Sequence, residues 1–304
     1  MVFPGQGSQS VGMQADLATA YPIVQQTYEE ASESLGYDLW ELIQNGPAEK
    51  LAETVVTQPA MLAAGTAAYR VWLAAGGEQP QQVSGHSLGE YSALVAAEAL
   101  SFSDAMTIVI RRSELMQRAV PAGSGGMAAV LGLDDDAVIA ACDEASSIGI
   151  AEPVNFNSPG QVVIAGHKDA IKIAIERCKA AGARRAMVLP VSVPSHSSLM
   201  IGAGAALKEA LSTADIASPT TRVVAATDGQ AYTDAEDIRQ RLAKQVHQPV
   251  HWVSTVNAMT AAGATSLIEC GPGKVLAGLC RRIDRATPVF CIDSLDGLQK
   301  ALDA

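Results

Sequence analysis

Aromatic side chains, paired cysteines and positive charge are all scarce in this chain of 304 residues. Phe, Trp and Tyr make up only 4% of it, so Ala, Val, Leu and Ile must fill the interior. Cys142, Cys178, Cys270, Cys280 and Cys291 are an odd set with no C-x-x-C pair. That argues against a disulfide framework or a zinc site, and for reduced thiols in the cytoplasm. Lys and Arg number 21 against 32 Asp and Glu, giving a net charge of −11 with no dense basic run. Neither nucleic acid nor an anionic membrane surface is an expected partner. No apolar stretch approaches the ~18 residues of a membrane span. The first residues, Met1-Val2-Phe3-Pro4-Gly5, lack the basic segment of a signal peptide.

What is present is the composition of a globular protein, 48% hydrophobic and 17% charged. The length suffices for one large core, or a core with a small subdomain. Helices are expected over 57–75, closing at Gly76-Gly77, and over 104–119, capped by Ser103 and ended by Pro121. From 127 the rhythm changes. A strand at 127–131, a helix at 134–145, strands at 150–156 and 161–165 around Asn157-Ser158-Pro159-Gly160, a helix at 169–181 and a strand at 183–189 follow in turn. That β-α-β-β-α-β order is the ferredoxin-like split unit, read as a subdomain over 123–189 inserted into a core of 1–122 and 190–304. After Pro190, helices are expected over 199–212, 234–245 and 250–262, with a buried strand at 266–270 before Gly271-Pro272-Gly273. Alternating strands and helices imply an α/β fold with a mainly parallel sheet covered on both faces.

Gly85-His86-Ser87-Leu88-Gly89 is the most informative stretch. It is a G-x-S-x-G pattern between a strand-like segment (Gln82, Val83) and a helix-compatible run (Glu90 to Ala97), the context of a nucleophile elbow. At such a corner the Ser87 hydroxyl stands clear at a helix N-terminus, where the Leu88 N–H and the helix dipole can stabilise an oxyanion. A serine needs a base. Of the five histidines, His86 points away from its neighbour, His167 starts a helix, and His247 and His251 flank Pro249. His196, in Val193-Pro194-Ser195-His196-Ser197, follows Ser87 in the order usual for such bases; a structural histidine is the alternative reading. No Asp or Glu is marked as its orienting partner, and an amide or backbone carbonyl would serve as well.

In the 104–119 helix, Arg111 shares a polar face with Asp104, Thr107, Glu114 and Arg118, whereas Arg112 falls among Ala105, Ile108, Val109, Leu115, Met116 and Ala119. A buried guanidinium needs an anion. Arg112 therefore either pairs with an internal acid or clamps a substrate carboxylate in a bidentate fork. The loop Phe3-Pro4-Gly5-Gln6-Gly7-Ser8-Gln9 has no phosphate-binding lysine and does not fit G-x-G-x-x-G. It is a plain turn, or it supplies a second oxyanion donor through Gln6.

Taken together, Gly5-Gln6-Gly7-Ser8-Gln9, Gly85-His86-Ser87-Leu88-Gly89-Glu90, Arg112, Asn155-Phe156-Asn157-Ser158-Pro159-Gly160-Gln161, Val193-Pro194-Ser195-His196 and Gly271-Pro272-Gly273-Lys274 resemble the malonyl-CoA:acyl carrier protein transacylases of bacterial fatty acid synthesis. The resemblance spans the chain, although the abrupt start Met1-Val2-Phe3 leads us to expect a first strand cut short. It implies an α/β-hydrolase-like core with a ferredoxin-like insertion. It also implies ping-pong transfer through malonyl-Ser87, with His196 as base, Leu88 and Gln6 N–H groups as the oxyanion hole, and Arg112 on the malonyl carboxylate. A carbonyl near Gln245 would orient the histidine. No cofactor or metal is implied; malonyl-CoA is substrate, holo acyl carrier protein the partner, and the chain is expected to be monomeric. Related polyketide acyltransferases carry His-Ala-Phe-His or Tyr-Ala-Ser-His where Val193-Pro194-Ser195-His196 stands, which favours malonyl. A thioesterase, an acyltransferase component of a malonate decarboxylase or polyketide assembly line, and a non-catalytic scaffold are the rival readings. Because carrier proteins are acidic and so is this chain, a basic rim is expected among Arg184, Arg185, Lys274, Arg281, Arg282 and Arg285.

Overall fold

The helix Thr54–Ala74 runs through the middle of the structure, a computed structural model that describes residues 1–191 and 193–304. It starts three residues earlier than its sequence suggests and is buried on nearly every face. Its run of Ala, Val and Leu has no polar stripe, as a helix wrapped on all sides requires. Beside it, and numbering strands along the chain, β1 (Val2–Phe3), β2 (Gln82–Gly85), β7 (Arg222–Val224), β8 (Leu267–Glu269) and β9 (Val289–Cys291) form a sheet in the order β7-β2-β1-β8-β9. Every pairing in it is parallel. These strands are short and mostly buried, as parallel strands sandwiched between helices must be.

The middle of the chain builds a second, antiparallel sheet from β3 (Gly125–Leu131), β4 (Ala151–Ser158), β5 (Gln161–His167) and β6 (Arg185–Val188), in the order β4-β5-β3-β6. Helices Asp135–Ala145 and Lys168–Ala180 cover one face. The two-residue alternation divides β3 cleanly: Ala128 and Val130 pack with Val138, Ile171 and Ile175 of those helices, while Met127 and Ala129 face a cavity on the other side. β4 also docks on the first unit. The Phe156 N–H donates to the Val250 carbonyl and the Val250 N–H to the Val154 carbonyl, both at 2.8 Å. The Phe156 ring stacks on His251 at 4.8 Å.

Two sequence expectations need correction. The cap of the helix Phe102–Arg118 is Ser101, not Ser103: the Ser101 hydroxyl accepts from the Asp104 N–H at 3.0 Å and donates to the Asp104 carboxylate. Ser101 thus satisfies the Asp104 N–H that the start of the helix leaves free, and its own hydroxyl proton goes to the same residue's carboxylate. The helix expected from 250 begins at Trp252, because Val250 gives its backbone groups to β4 instead. No helix among the described residues is long and apolar enough to cross a membrane.

Candidate active site

Phe3 and Gly85 lie opposite each other at the ends of β1 and β2, so the loops leaving both strands meet at one edge of the parallel sheet. The tightness of that meeting explains the glycines. A Cβ on Gly85 would stand 1.9 Å from the Gly89 carbonyl carbon, and one on Gly89 would stand 2.0 Å from the Phe3 carbonyl oxygen. Neither position admits any other residue. Ser87, between them, has φ +53°, in the left-handed region that non-glycine residues seldom adopt outside functional turns. The helix Gly89–Ala96 starts directly after it.

His196 is buried and also left-handed, with φ +67°. Its Nε2 lies 2.7 Å from Ser87 Oγ. Its Nδ1 faces two backbone carbonyls, Gln245 at 2.8 Å and Gln248 at 3.1 Å. Carbonyls only accept, so Nδ1 carries the proton and the Nε2 lone pair points at the serine hydroxyl. The residues alone left the orienting group open and the resemblance named a carbonyl near Gln245; the groups facing Nδ1 are main-chain carbonyls, not a carboxylate. Burial, and next the Arg112 charge, push the His196 pKa down to about 3, against a smaller upward pull from the Gln245 carbonyl.

Arg112 is buried, as its helix face implied, and no carboxylate pairs with it among the described residues. Its guanidinium donates to Gln58 Oε1 at 2.6 Å, Gln245 Oε1 at 3.0 Å and Ser87 Oγ at 3.3 Å, all neutral oxygens. Its centre lies 5.7 Å from the Tyr91 ring. Arg111, one residue away, is half-exposed and reaches only Glu114, at 3.4 Å. Of the two readings of Arg112, the internal ion pair is absent, and a cation waits beside the serine.

Gln245 links all three groups. Besides its carbonyl on His196 and its Oε1 on Arg112, its Nε2 donates to the Ser87 carbonyl at 2.8 Å and to the Glu90 carboxylate at 2.5 Å. Glu90 accepts a second bond from the Tyr232 hydroxyl at 2.6 Å; burial raises its pKa, opposed by these two bonds. Sequence reasoning missed Gln58, whose amide is one of many in the chain. It also missed Glu90, the sole charge in the apolar run after the elbow, and that isolation was a usable signal. His86 does point away from Ser87: its Nε2 donates to Asn157 Oδ1 of β4 at 2.8 Å.

Gln6 and Ser87 line one cavity of about 330 Å³, together with His196, Asn155, Asn157, Gln161, Val163 and Leu279. A Cβ on Gly5 would come within 2.4 Å of the His86 carbonyl oxygen and 3.7 Å of the Leu88 nitrogen, so the Gln6 loop lies against the elbow. Among the described residues, neither the Gln6 nor the Leu88 N–H bonds a protein acceptor. The site therefore combines a hydroxyl, a base, a buried cation and two free backbone amides, Leu88 at a helix start and Gln6 in the loop against it. That set suits acyl transfer with an acidic acyl group.

Residues 1–286 match the family described as the acyl transferase domain. The chain is 51% identical to the malonyl CoA-acyl carrier protein transacylase of Escherichia coli strain K12, over 99% of this chain and 98% of that one. It is 54% identical to the enzyme of the same name from Salmonella typhimurium, over 99% and 97%. Among solved structures, a malonyl-transacylase in complex with a type II PKS acyl-carrier protein matches with a TM-score of 0.98 at 50% identity, over 100% of this chain and 98% of that one. An acyl carrier protein S-malonyltransferase from Vibrio cholerae matches with a TM-score of 0.95 at 51% identity, over 99% and 98%.

Proposed function

The chain belongs to the acyl transferase family, and we propose that it moves a malonyl group from coenzyme A to the phosphopantetheine thiol of acyl carrier protein through malonyl-Ser87. The observation that carries this reading is the convergence on one hydroxyl: His196 Nε2 at 2.7 Å and Arg112 Nη2 at 3.3 Å from Ser87 Oγ. In a malonyl ester the free carboxylate is one methylene beyond the carbonyl carbon, close enough for a guanidinium that already touches the ester oxygen's position.

In the first half-reaction Ser87 Oγ attacks the thioester carbon while its proton passes to His196 Nε2. The oxyanion sits against the Leu88 and Gln6 N–H groups. The intermediate collapses, the carbon–sulfur bond breaks, and the imidazolium returns its proton to the departing CoA sulfur. In the second half the carrier-protein thiol gives its proton to His196, its sulfur attacks malonyl-Ser87, and the proton goes back to Ser87 Oγ. Both halves balance with these groups alone, so the scheme includes no cofactor or metal. Intact-protein mass spectrometry tests it: malonyl-CoA should add one malonyl unit, and holo carrier protein should remove it. Failure to load would end this reading.

Arg112 does more here than select the acyl group. Its charge is one of the causes that depress His196. A malonyl carboxylate paired with Arg112 cancels much of that effect and makes the imidazole more basic when the proton must move. Before binding, His196 is neutral across the physiological range, since its pKa lies near 3. The Ser87 acylation rate, as kcat/KM for malonyl-CoA, is therefore expected to stay flat from about pH 8 down to about pH 5, with no acid limb near the ordinary histidine value of about 6.5. A half-maximal point near 6.5 in a stopped-flow pH series would contradict it.

The strand order β4-β5-β3-β6 supports reading 123–189 as a ferredoxin-like subdomain inserted into an α/β-hydrolase-like core of 1–122 and 190–304. All five cysteines are buried and unpaired, which supports a reduced, cytoplasmic setting. Every group in the site comes from one chain, so a monomer suffices. The candidate basic rim narrows. Lys274 lies 3.3 Å from Asp293, and Arg281 is tied to the Val289 carbonyl. Arg282 donates to Gln161, on the cavity wall, and Arg185 lies at the same end of the second sheet, two strands over through Leu131. Reversing both, Arg185→Glu with Arg282→Glu, is expected to raise KM for the carrier protein about fivefold and to weaken its dependence on salt. Unchanged kinetics would remove this edge as the docking rim.

A further inference from the structure

β4 touches both halves of the reacting pair. Near its C-terminal end Asn157 accepts from His86, inside the turn that presents Ser87. In its middle, backbone bonds to Val250 hold the segment whose Gln245 and Gln248 carbonyls face His196. At its start stands Glu152. The Glu152 carboxylate accepts from the Ser198 N–H and from the Ser198 hydroxyl, each at 2.7 Å. Ser198 opens the 3₁₀ turn Ser198–Met200, which continues directly into the helix Ile201–Ser212. Glu152 thus caps, from another sheet, a helical segment beginning two residues after His196. A carboxylate is favoured there by the exposed N–H groups and the helix dipole, and charge-assisted bonds are the strong ones.

This cap matters because of His196's own backbone. A histidine at φ +67° is not a resting conformation, and it persists only where its surroundings hold it. On one side the His196 N–H donates to the Val246 carbonyl, and within the loop the Ser197 hydroxyl donates to the Pro194 carbonyl. Glu152 supplies the restraint on the other side. It touches neither the cavity wall nor the reacting atoms.

We propose that Glu152 is a positioning residue for His196: by clamping Ser198 it holds the histidine loop in the geometry that aims Nε2 at Ser87. The proposal rests on the reading of His196 as the base. The Glu152→Ala protein is expected to acylate Ser87 about tenfold more slowly in single-turnover experiments, because small displacements of a positioned group cost rate. KM for malonyl-CoA should stay within about twofold, since the cavity is untouched. Glu152→Gln keeps one acceptor for the Ser198 N–H and should recover most of the rate. Ser198→Ala, which loses one of the two bonds, should fall between. A second readout is independent of substrate: the His196 Nδ1–H, held between the Gln245 and Gln248 carbonyls, is expected to give a sharp resonance in the wild type that broadens or vanishes in Glu152→Ala. Wild-type acylation by Glu152→Ala, an unchanged Nδ1–H signal, or equal losses in Glu152→Gln and Glu152→Ala would each overturn the proposal. If Glu152→Ala fails to fold by circular dichroism, the Ser198→Ala and Glu152→Gln rates decide it. If the wild type itself takes up no malonyl group, the proposed activity fails, and the imidazole signal still decides the role of Glu152.

Discussion

Ser87→Ala protein mixed with malonyl-CoA is expected to keep its original mass, while the wild type gains one malonyl unit and loses it again to holo carrier protein. Overall transfer should fall by about 10⁴-fold or more, the scale seen when a nucleophile that acts as a unit with its base is removed. The loss should be in chemistry rather than folding. Ser87 is only partly buried, and its hydroxyl bonds just His196 and Arg112. Alanine has no more trouble than serine with the φ of +53° that the turn imposes. Coenzyme A binding should survive, because Ser87 is only one of the residues lining the cavity and the loss of its hydroxyl leaves Asn155, Val163 and Leu279 in place. A Ser87→Ala protein that still acquires the acyl group would place the nucleophile on another residue, and the scheme above would have to be abandoned.

The second large effect concerns which acyl group is accepted. In Arg112→Ala, kcat/KM for malonyl-CoA is expected to drop by about 10²- to 10³-fold, since truncating a desolvated charge partner costs about 2–5 kcal/mol. Acetyl-CoA, which has no carboxylate to place, should lose little or gain. The physical basis is the company Arg112 keeps: three neutral oxygens and no internal acid among the described residues. A buried cation so partnered has unspent electrostatic attraction that an incoming carboxylate can satisfy. Arg111→Ala is the control, because that side chain is half-exposed and pairs only with Glu114 on its own helix; its effect should stay within about twofold. The same comparison reports whether acyl choice depends on a carboxylate; whether a thiol or water takes the acyl group is read from its removal by holo carrier protein. If the malonyl-to-acetyl ratio is unchanged in Arg112→Ala, the clamp does not exist.

Legibility of the site followed the range of the forces involved. The elbow could be read because its requirements are local: two positions where a Cβ collides with backbone must be glycine, and that leaves a pattern in five consecutive residues. Arg112 could be placed because helical periodicity puts it among apolar neighbours, and burial follows from its face. The boundary errors arose where competing local signals were close together, as with Ser101 and Ser103, or where a distant strand claimed a residue, as β4 claims Val250. The Ala-rich helix was legible as a helix, but its uniform apolarity gave no hint that Gln58 within it would reach Arg112.

The residues by themselves settled the α/β character of the chain, the turn that exposes Ser87 and the two sides of the arginine pair, since each depends on sterics or periodicity within a few neighbours. What holds His196 could not be read from the residues themselves, and only the family resemblance pointed to a carbonyl near Gln245: folding supplies main-chain carbonyls 49 and 52 positions away, a kind of group every residue owns. It likewise decided that Arg112 would meet amides rather than an acid, across separations of 54 and 133 residues. Such contacts are chosen by how helices and sheets pack, and packing is a property of the whole chain.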